Sequence, residues 1–239
     1  MSERARSFDS VAADYERHRP EYPQSALLWL AERLDLAPGR RVLDLGAGTG
    51  KLTRGLLALG LAVVAVEPGA AMLGQLRGAL PGVEAHEGSA EAIPLPDASV
   101  DAAVAGQAYH WFDPERAVPE LHRVLRAGGG VGLLWNWWDM RDPLQARLVE
   151  LLGLAPAAGA ADLPWAPLFS EVDRTTIESV HETTPDGIAA RLATTSAMLV
   201  AEPERRVRLL EEVRALAAGY GERFPLPQRT HVFAFRRSS

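Results

Sequence analysis

The sequence predicts an α/β fold built on a doubly wound, mostly parallel sheet. Three observations predict it. Strand-like and helix-like segments alternate from residue 40 to 136, the pattern that crossover connections between parallel strands require. The stretch VLDLGAGTG (42–50) runs from an apolar strand into Gly46, Gly48 and Gly50, spaced by single residues. An acid, Glu67, closes the next strand 21 residues after Gly46.

The elements follow in order. RRVLDLG (40–46) reads as the first strand. KLTRGLLALG (51–60) sets Leu52, Leu56 and Leu59 at helical spacing, and Gly60 ends it. AVVAVE (62–67) is the second strand, AAMLGQLRGAL (70–80) a helix closed by Pro81-Gly82, and VEAHEG (83–88) a short strand. VDAAVAG (100–106) is a strand, PERAVPELHRVLR (114–126) a helix with Pro114 suited to its first turn, and GGVGLLWN (129–136) a strand. Beyond these, LQARLVELLGLA (144–155) is helical and 155–161 is an Ala/Gly/Pro-rich surface loop. RTTIESVHETT (174–184) alternates as a strand does. PDGIAARLATTSAML and EPERRVRLLEEVRALAAGY read as two helices, and RTHVFAFRR (229–237) as the last strand. There are seven strand segments in all.

Composition narrows the function. The 239 residues fit one large domain or a domain with an added cap, and 47% hydrophobic content supplies a real core. A net charge of -6 argues against a general nucleic-acid binder. The absence of cysteine excludes disulfides, thiolate metal sites and a cysteine nucleophile. The start, MSERARSFDS, lacks a signal peptide's apolar core, and no apolar run reaches the roughly 20 residues of a membrane span. A cytoplasmic protein, monomer or homodimer, is expected. His181, Glu182 and His231 are too scattered to argue for a metal.

Glycines in series let backbone approach a ligand, and a following helix presents free N–H groups. In open parallel sheets, ligands sit at the carboxyl ends of the strands. A carboxylate about 20 residues on accepts the hydroxyls of a ribose, so a nucleoside-containing ligand is expected. A phosphate-binding P-loop fails, because Leu45 stands at its first glycine and Leu52 after Lys51. A dinucleotide fingerprint is weakened, because Lys51 stands at its third glycine. S-adenosylmethionine is the third class.

VLDLGAGTGKLT resembles the first motif of class I S-adenosylmethionine-dependent methyltransferases, nearly letter for letter. VVAVEPGAAML is similar to the motif that follows it. GSAEAIPLPDASVDAAVAGQAYHWFD and ELHRVLRAGGGVGLLWN resemble the family's later strands and loops in order. FDSVAADYERHRPEYP resembles the lid of the small-molecule branch, which includes ubiquinone-biosynthesis and trans-aconitate methyltransferase relatives. The resemblance covers residues 8–136. It implies a seven-stranded Rossmann-like sheet, a lid over 1–30, a cofactor-binding core over 40–136 and substrate-cap elements over 139–222, interleaved with the sixth strand. It implies S-adenosylmethionine as cofactor and a small-molecule methyl acceptor.

The resemblance also assigns residues. Asp44 orients the glycine loop and the methionine amine, while Gly46, Ala47, Gly48 and Gly50 border the methionine moiety. Glu67 holds the ribose, and Pro68 and Met72 flank the adenine. Ser89, Ala90 and Glu91 occupy the adenine-binding turn, with Ser89 replacing the usual acid. Gln107 and Ala108 lie near the sulfonium. In the lid, Tyr15 or Arg19 meets the cofactor carboxylate and Tyr22 closes the pocket. His110, whose ordinary pKa lies near working pH, is the candidate general base. Trp111, Trp135, Trp137 and Trp138, at the ends of two strands, are expected to wall an apolar acceptor pocket with His110. Two alternatives stay open: a nicotinamide-dependent oxidoreductase and a non-catalytic S-adenosylmethionine-binding protein.

Overall fold

A computed structural model describes residues 11–153 and 165–238. The expected loop over 155–161 and the first residues of the expected lid lie outside the described residues. The described residues begin with α1 (Ala12–His18) and α2 (Gln24–Arg33). Then β1 (Arg41–Leu45), α3 (Lys51–Ala58), β2 (Ala62–Glu67), α4 (Ala70–Ala79), β3 (Glu84–Glu87), β4 (Val100–Gly106), α5 (Pro114–Val124) and β5 (Leu125–Trp138) alternate. After α6 (Pro143–Leu152) come β6 (Phe169–Thr183), α7 (Pro185–Ala193), α8 (Ser196–Leu199), α9 (Pro203–Ala218) and β7 (Phe224–Arg237).

One seven-stranded sheet holds these strands in the order β3-β2-β1-β4-β5-β7-β6. The first five strands of that order are parallel, while β7 runs antiparallel between β5 and β6. The mostly parallel Rossmann-like sheet expected from the sequence is the one observed. Successive connections leave β1 in one direction and return to β4 on its other side, so strand order reverses between β1 and β4. The carboxyl ends of these two strands define the crevice where such sheets bind ligands.

Period-two alternation decides which side chains reach that crevice. Leu43 and Leu45 of β1 pack with Val64, Val66, Val118 and Leu121 on one face. Val42 packs with Leu27, Leu30, Leu52 and Leu56 on the other. Asp44 shares the parity of Val42, so it points toward the α2–α3 side and not into the α5 core. Leu30 and Leu43 are almost fully buried, and truncating either to Ala is expected to cost about 2–5 kcal/mol.

The structure departs from the sequence reading at several ends. Helix α2 was not read, although Ala26, Leu27 and Leu30 form its buried face. Strand β7 starts five residues before 229, despite Pro225 and Pro227. Its pairing with β5 stops at Gln228, so both prolines lie where only β6 is a neighbour and a missing N–H breaks no second ladder. The segment read as one helix from 185 splits into α7 and α8. Thr194 and Thr195 donate their hydroxyls to the carbonyls of Arg191 and Leu192, both at 2.7 Å, and so end α7. No helix among the described residues is long and apolar enough to cross a membrane.

Candidate active site

The glycine loop leaves the end of β1 with Gly46, Gly48 and Gly50 at φ of +71°, +57° and +91°. These values lie in the left-handed region that side chains avoid. A Cβ on Gly46 would meet that of Ala108 at 2.6 Å, so the loop lies against the chain beyond β4. A Cβ on Gly48 would meet nothing within 4 Å, because it faces open space. Gly46 and Ala47 donate their N–H groups to the Val66 carbonyl at 2.8 and 3.2 Å, which fixes the loop to β2.

Glu67 sits at the end of β2 and is buried. One carboxylate oxygen accepts from Gly48 N at 2.8 Å and the other from Gly69 N at 2.8 Å. It therefore fixes both the glycine loop and the start of α4, a role the sequence reading did not include.

Asp44 is fully buried. Its Oδ2 accepts from Thr53 Oγ1 of α3 at 2.6 Å, while Oδ1 is buried and has no partner among the described residues. Burial pushes its carboxyl up to about 7, against the downward pull of Thr53, and Glu67 adds a smaller upward push. An unsatisfied buried carboxylate oxygen is costly in a protein that binds nothing there.

The crevice has two limbs. The first spans about 730 Å³, its open mouth included, and is lined by Gly48, Glu67, Pro68, Met72, Ser89, Ala90, Glu91, Gln107, Trp111 and Phe112, among others. The second, about 490 Å³, is lined by Tyr15, Arg19, Tyr22, Asp44, Ala47, Lys51, Asn136 and Arg191, among others. Tyr15, Gly46, Gly48, Gly106 and Gln107 border both. Gln107 joins the limbs in a positive-φ conformation, φ 55°, held by its N–H to Leu134 O at 2.9 Å and its Nε2 to Asn136 O at 2.6 Å.

The N-terminal segment reaches this crevice through ion pairs. Lys51 meets Glu21 at 3.0 Å, and Arg54 meets Glu16 at 2.7 Å. Arg19 donates from Nε to Thr194 Oγ1 at 2.9 Å and from Nη2 to Thr194 O at 3.0 Å, and its guanidinium lies 5.2 Å from the Tyr15 ring centre. Burial raises the pKa values of Tyr15 and Tyr22, so both phenols stay protonated.

The four tryptophans do not form one wall. Trp111 lines the first limb. Trp135 and Trp138 point to opposite faces of β5, as an odd separation along a strand requires. Trp135 packs in the α5-side core, edge-on to Phe233 at 5.8 Å. Trp138 packs with α6, α7 and α9, and the Arg191 guanidinium lies 4.2 Å from its ring centre. Trp137 is half-buried and lines neither limb.

His110 stands in a short helical turn (Tyr109–Trp111), its ring tilted against that of Trp111 with ring centres 4.7 Å apart. Trp135 Nε1 faces its Nδ1 at 3.3 Å. An indole N–H only donates, so His110 Nδ1 accepts and the proton of the neutral ring sits on Nε2. Burial, then the charge of Arg19, lowers its pKa to about 4, although one edge of the ring stays exposed.

Sequence reasoning did not single out Thr53, Phe112, Asn136 or Arg191. Only Arg191 left a signal. It stands three residues after Ile188 on the buried stripe of α7, where an arginine is out of place.

This crevice can be set beside known proteins. The model of the methyltransferase domain family matches residues 43–132. An uncharacterized methyltransferase of Mycobacterium tuberculosis is 45% identical over 214 residues, which is 89% of this chain and 86% of that one. A solved structure from Anaeromyxobacter dehalogenans, described as a candidate type II methyltransferase, shares 29% identity at a TM-score of 0.69, covering 90% of this chain and 97% of the other. The fold is also that of a Haemonchus contortus phosphoethanolamine N-methyltransferase solved with S-adenosylhomocysteine, at 16% identity and a TM-score of 0.57, covering 97% of this chain and 58% of that one. On the identity and coverage of the Mycobacterium tuberculosis relative, and with the fold these proteins share, the chain belongs to the class I S-adenosylmethionine-dependent methyltransferases.

Proposed function

We propose that the crevice holds S-adenosylmethionine across both limbs and passes its methyl group to a small-molecule acceptor. The observation that carries this reading is Asp44 Oδ1, a buried acceptor with no partner among the described residues, beside a Gly48 whose missing side chain leaves open space. A cationic amine donating to Oδ1 satisfies it, and the methionine end of the cofactor carries such an amine. The group supplies a methyl on a sulfonium, already activated for in-line displacement.

The chain's own residues supply binding, orientation and exclusion of water. Pro68, Met72, Ala90 and Glu91 form an apolar and polar slot for the adenine in the first limb. Glu67, at the end of β2, is the acid placed to meet the ribose hydroxyls, and it also holds the loop. Arg19, over the Tyr15 ring, takes the cofactor carboxylate. Gln107, shared by both limbs, marks where the reacting centre lies. Tyr22, whose hydroxyl leaves no room for a side chain at Gly106, closes the second limb.

His110 is assigned a donor's role. With its Nδ1 occupied by Trp135, it offers an Nε2–H to the acceptor and keeps no lone pair for a proton. This fits an acceptor whose nucleophile is already deprotonated. A macromolecular substrate is disfavoured by the enclosed second limb and the acidic net charge.

Calorimetric titration with S-adenosylmethionine, S-adenosylhomocysteine and NAD tests the reading. Micromolar or tighter binding of the first two, with none of NAD, is the expected result. Tight NAD binding returns the crevice to the oxidoreductase alternative. Binding without labelled-methyl transfer to any small acceptor returns it to the non-catalytic one.

A further inference from the structure

The second limb holds more positive charge than the cofactor explains. Arg191 is 5% exposed, and its Nε and Nη1 are buried without a partner among the described residues. No ion pair among the described residues includes Arg191 or Arg19. Lys51, the other cation of the limb, is already paired with Glu21. The indole face of Trp138 packs on the Arg191 guanidinium and fixes its plane, but it leaves the in-plane N–H groups free. Burial, and then the charge of Arg19, lowers its pKa to about 9, so it stays charged at neutral pH. A buried, charged guanidinium with idle donors is an expensive arrangement that a purely structural role does not justify.

Charge counting shows what is missing. In the second limb Arg19 and Arg191 outnumber the acid Asp44 by one, since Lys51 is paired with Glu21, while Glu67 and Glu91 line the first limb. The methionine end of S-adenosylmethionine brings an ammonium and a carboxylate into the second limb, and these two charges cancel. One negative charge remains to be supplied. Arg19 is the cation on the N-terminal segment, and two of its nitrogens are already given to Thr194. Arg191 comes instead from α7, and the Trp138 that carries it ends β5, beside the strand end where the acceptor must enter.

We propose that Arg191 is the acceptor-binding residue and that the acceptor is a small molecule bearing a carboxylate. The proposal rests on the methyltransferase reading of the crevice and adds the acceptor's class. A planar guanidinium matches a carboxylate in shape, and a single missing negative charge matches it in number. A phosphate monoester would bring nearly two.

The test has two arms. Calorimetry with S-adenosylhomocysteine is done first on the wild type, Arg191→Met, Arg191→Lys and Arg19→Met. Labelled S-adenosylmethionine is then offered with a panel of small carboxylic acids, the primary amide of each, and phosphate monoesters. Failure of the wild type to bind S-adenosylhomocysteine sinks the reading of the crevice itself. Given binding, the expected result is methyl transfer to a carboxylate and not to its amide. Arg191→Met then raises KM for that acid by about 30-fold or more, with S-adenosylhomocysteine affinity changed by less than about 3-fold. Arg191→Lys recovers part of the loss. The melting temperature of ligand-free Arg191→Met is expected to equal or exceed the wild type's, because an uncompensated buried charge has been removed, whereas a structural arginine would lower it. The proposal is overturned if Arg191→Met weakens S-adenosylhomocysteine as much as Arg19→Met does. It is also overturned if amides or phosphate monoesters are methylated and no carboxylate is, or if no carboxylate is methylated by a wild type that binds S-adenosylhomocysteine.

Discussion

The two limbs of the crevice are built in different ways. The first is backbone and carboxylate: a glycine loop bolted to β2, with Glu67 bridging the loop and the start of α4. Every piece of it lies between residues 45 and 112, apart from Tyr15. The second limb is assembled from distant parts of the chain. Arg19 bonds to Thr194 across 175 residues, and Asn136 joins β5 to the carbonyl of Glu21 at 3.3 Å and to Thr230 at 2.7 Å. The first limb is set by a local motif, and the second by tertiary contacts.

The largest expected effect separates the limbs most sharply. Gly48→Val puts a branched side chain into the space both limbs share, at a φ of +57°. Its affinity for S-adenosylhomocysteine should fall by more than about 100-fold, or about 3 kcal/mol. Backbone strain of about 1–2 kcal/mol should lower the melting temperature by only a few degrees. Normal binding by this variant would make the glycines a turn and nothing more.

Asp44→Asn is next, because it removes a buried charge of the second limb but keeps an acceptor for Thr53. Losing one charge-assisted hydrogen bond should weaken S-adenosylhomocysteine by about 10- to 100-fold. Its pH behaviour is equally specific. Between the ordinary value of 3.8 and about 7, the folded chain holds a proton on Asp44 that the unfolded chain has released. Stability therefore falls as pH rises across that window, and Asp44→Asn should flatten the slope in urea titrations. An amine arriving at Oδ1 favours the ionised form. Binding near pH 6 should then release up to one proton, read from calorimetry in buffers of different ionisation enthalpy. No proton release would place the amine elsewhere.

Much of this contrast was legible in the sequence. The spacing of Gly46, Gly48, Gly50 and Glu67 placed the first limb, because backbone close approach can be written only in glycine and a ribose partner only in an acid. The β-α alternation fixed the five parallel strands for the same local reason. The second limb resisted reading. Thr53 looks like any first-turn threonine, and Asn136 like a polar residue at a strand end. The tryptophans misled because closeness in sequence is not closeness in space on a strand: Trp135 and Trp138 left on opposite faces of β5. Only Arg191, a charge on an apolar helical stripe, advertised a burial that composition could not explain.

Glu67→Ala should show a smaller effect, split between function and fold. The sequence alone gives Glu67 a ribose to hold. The structure adds the N–H groups of Gly48 and Gly69, which this variant strands. Affinity should fall by about 1–3 kcal/mol, with a parallel loss of stability of similar size. At this chain length each kcal/mol is about 2–4 °C in melting temperature. Weakened binding at unchanged stability would confine Glu67 to the ribose. Lost stability at unchanged binding would confine it to the loop.

The smallest expected effect is at His110, and it sharpens the comparison most finely. A general base here would contribute about 10²- to 10⁴-fold, and its loss would remove the acid limb of the pH–rate profile. A donor held by Trp135 contributes one hydrogen bond. His110→Gln keeps an N–H donor, so turnover should fall by less than about 10-fold and the acid limb should stay where it is. Trp135→Phe supplies the matching control. It removes the indole N–H that occupies Nδ1 at 3.3 Å, and so frees a lone pair on His110 that the wild type lacks. If the wild-type ring were the base, Trp135→Phe would leave the mechanism intact or improve it, and His110→Gln would abolish it. If His110 is a donor, both variants should behave alike, with KM for the acceptor rising a few-fold and kcat nearly unchanged. A 10²-fold or greater loss of kcat in His110→Gln alone would restore the base.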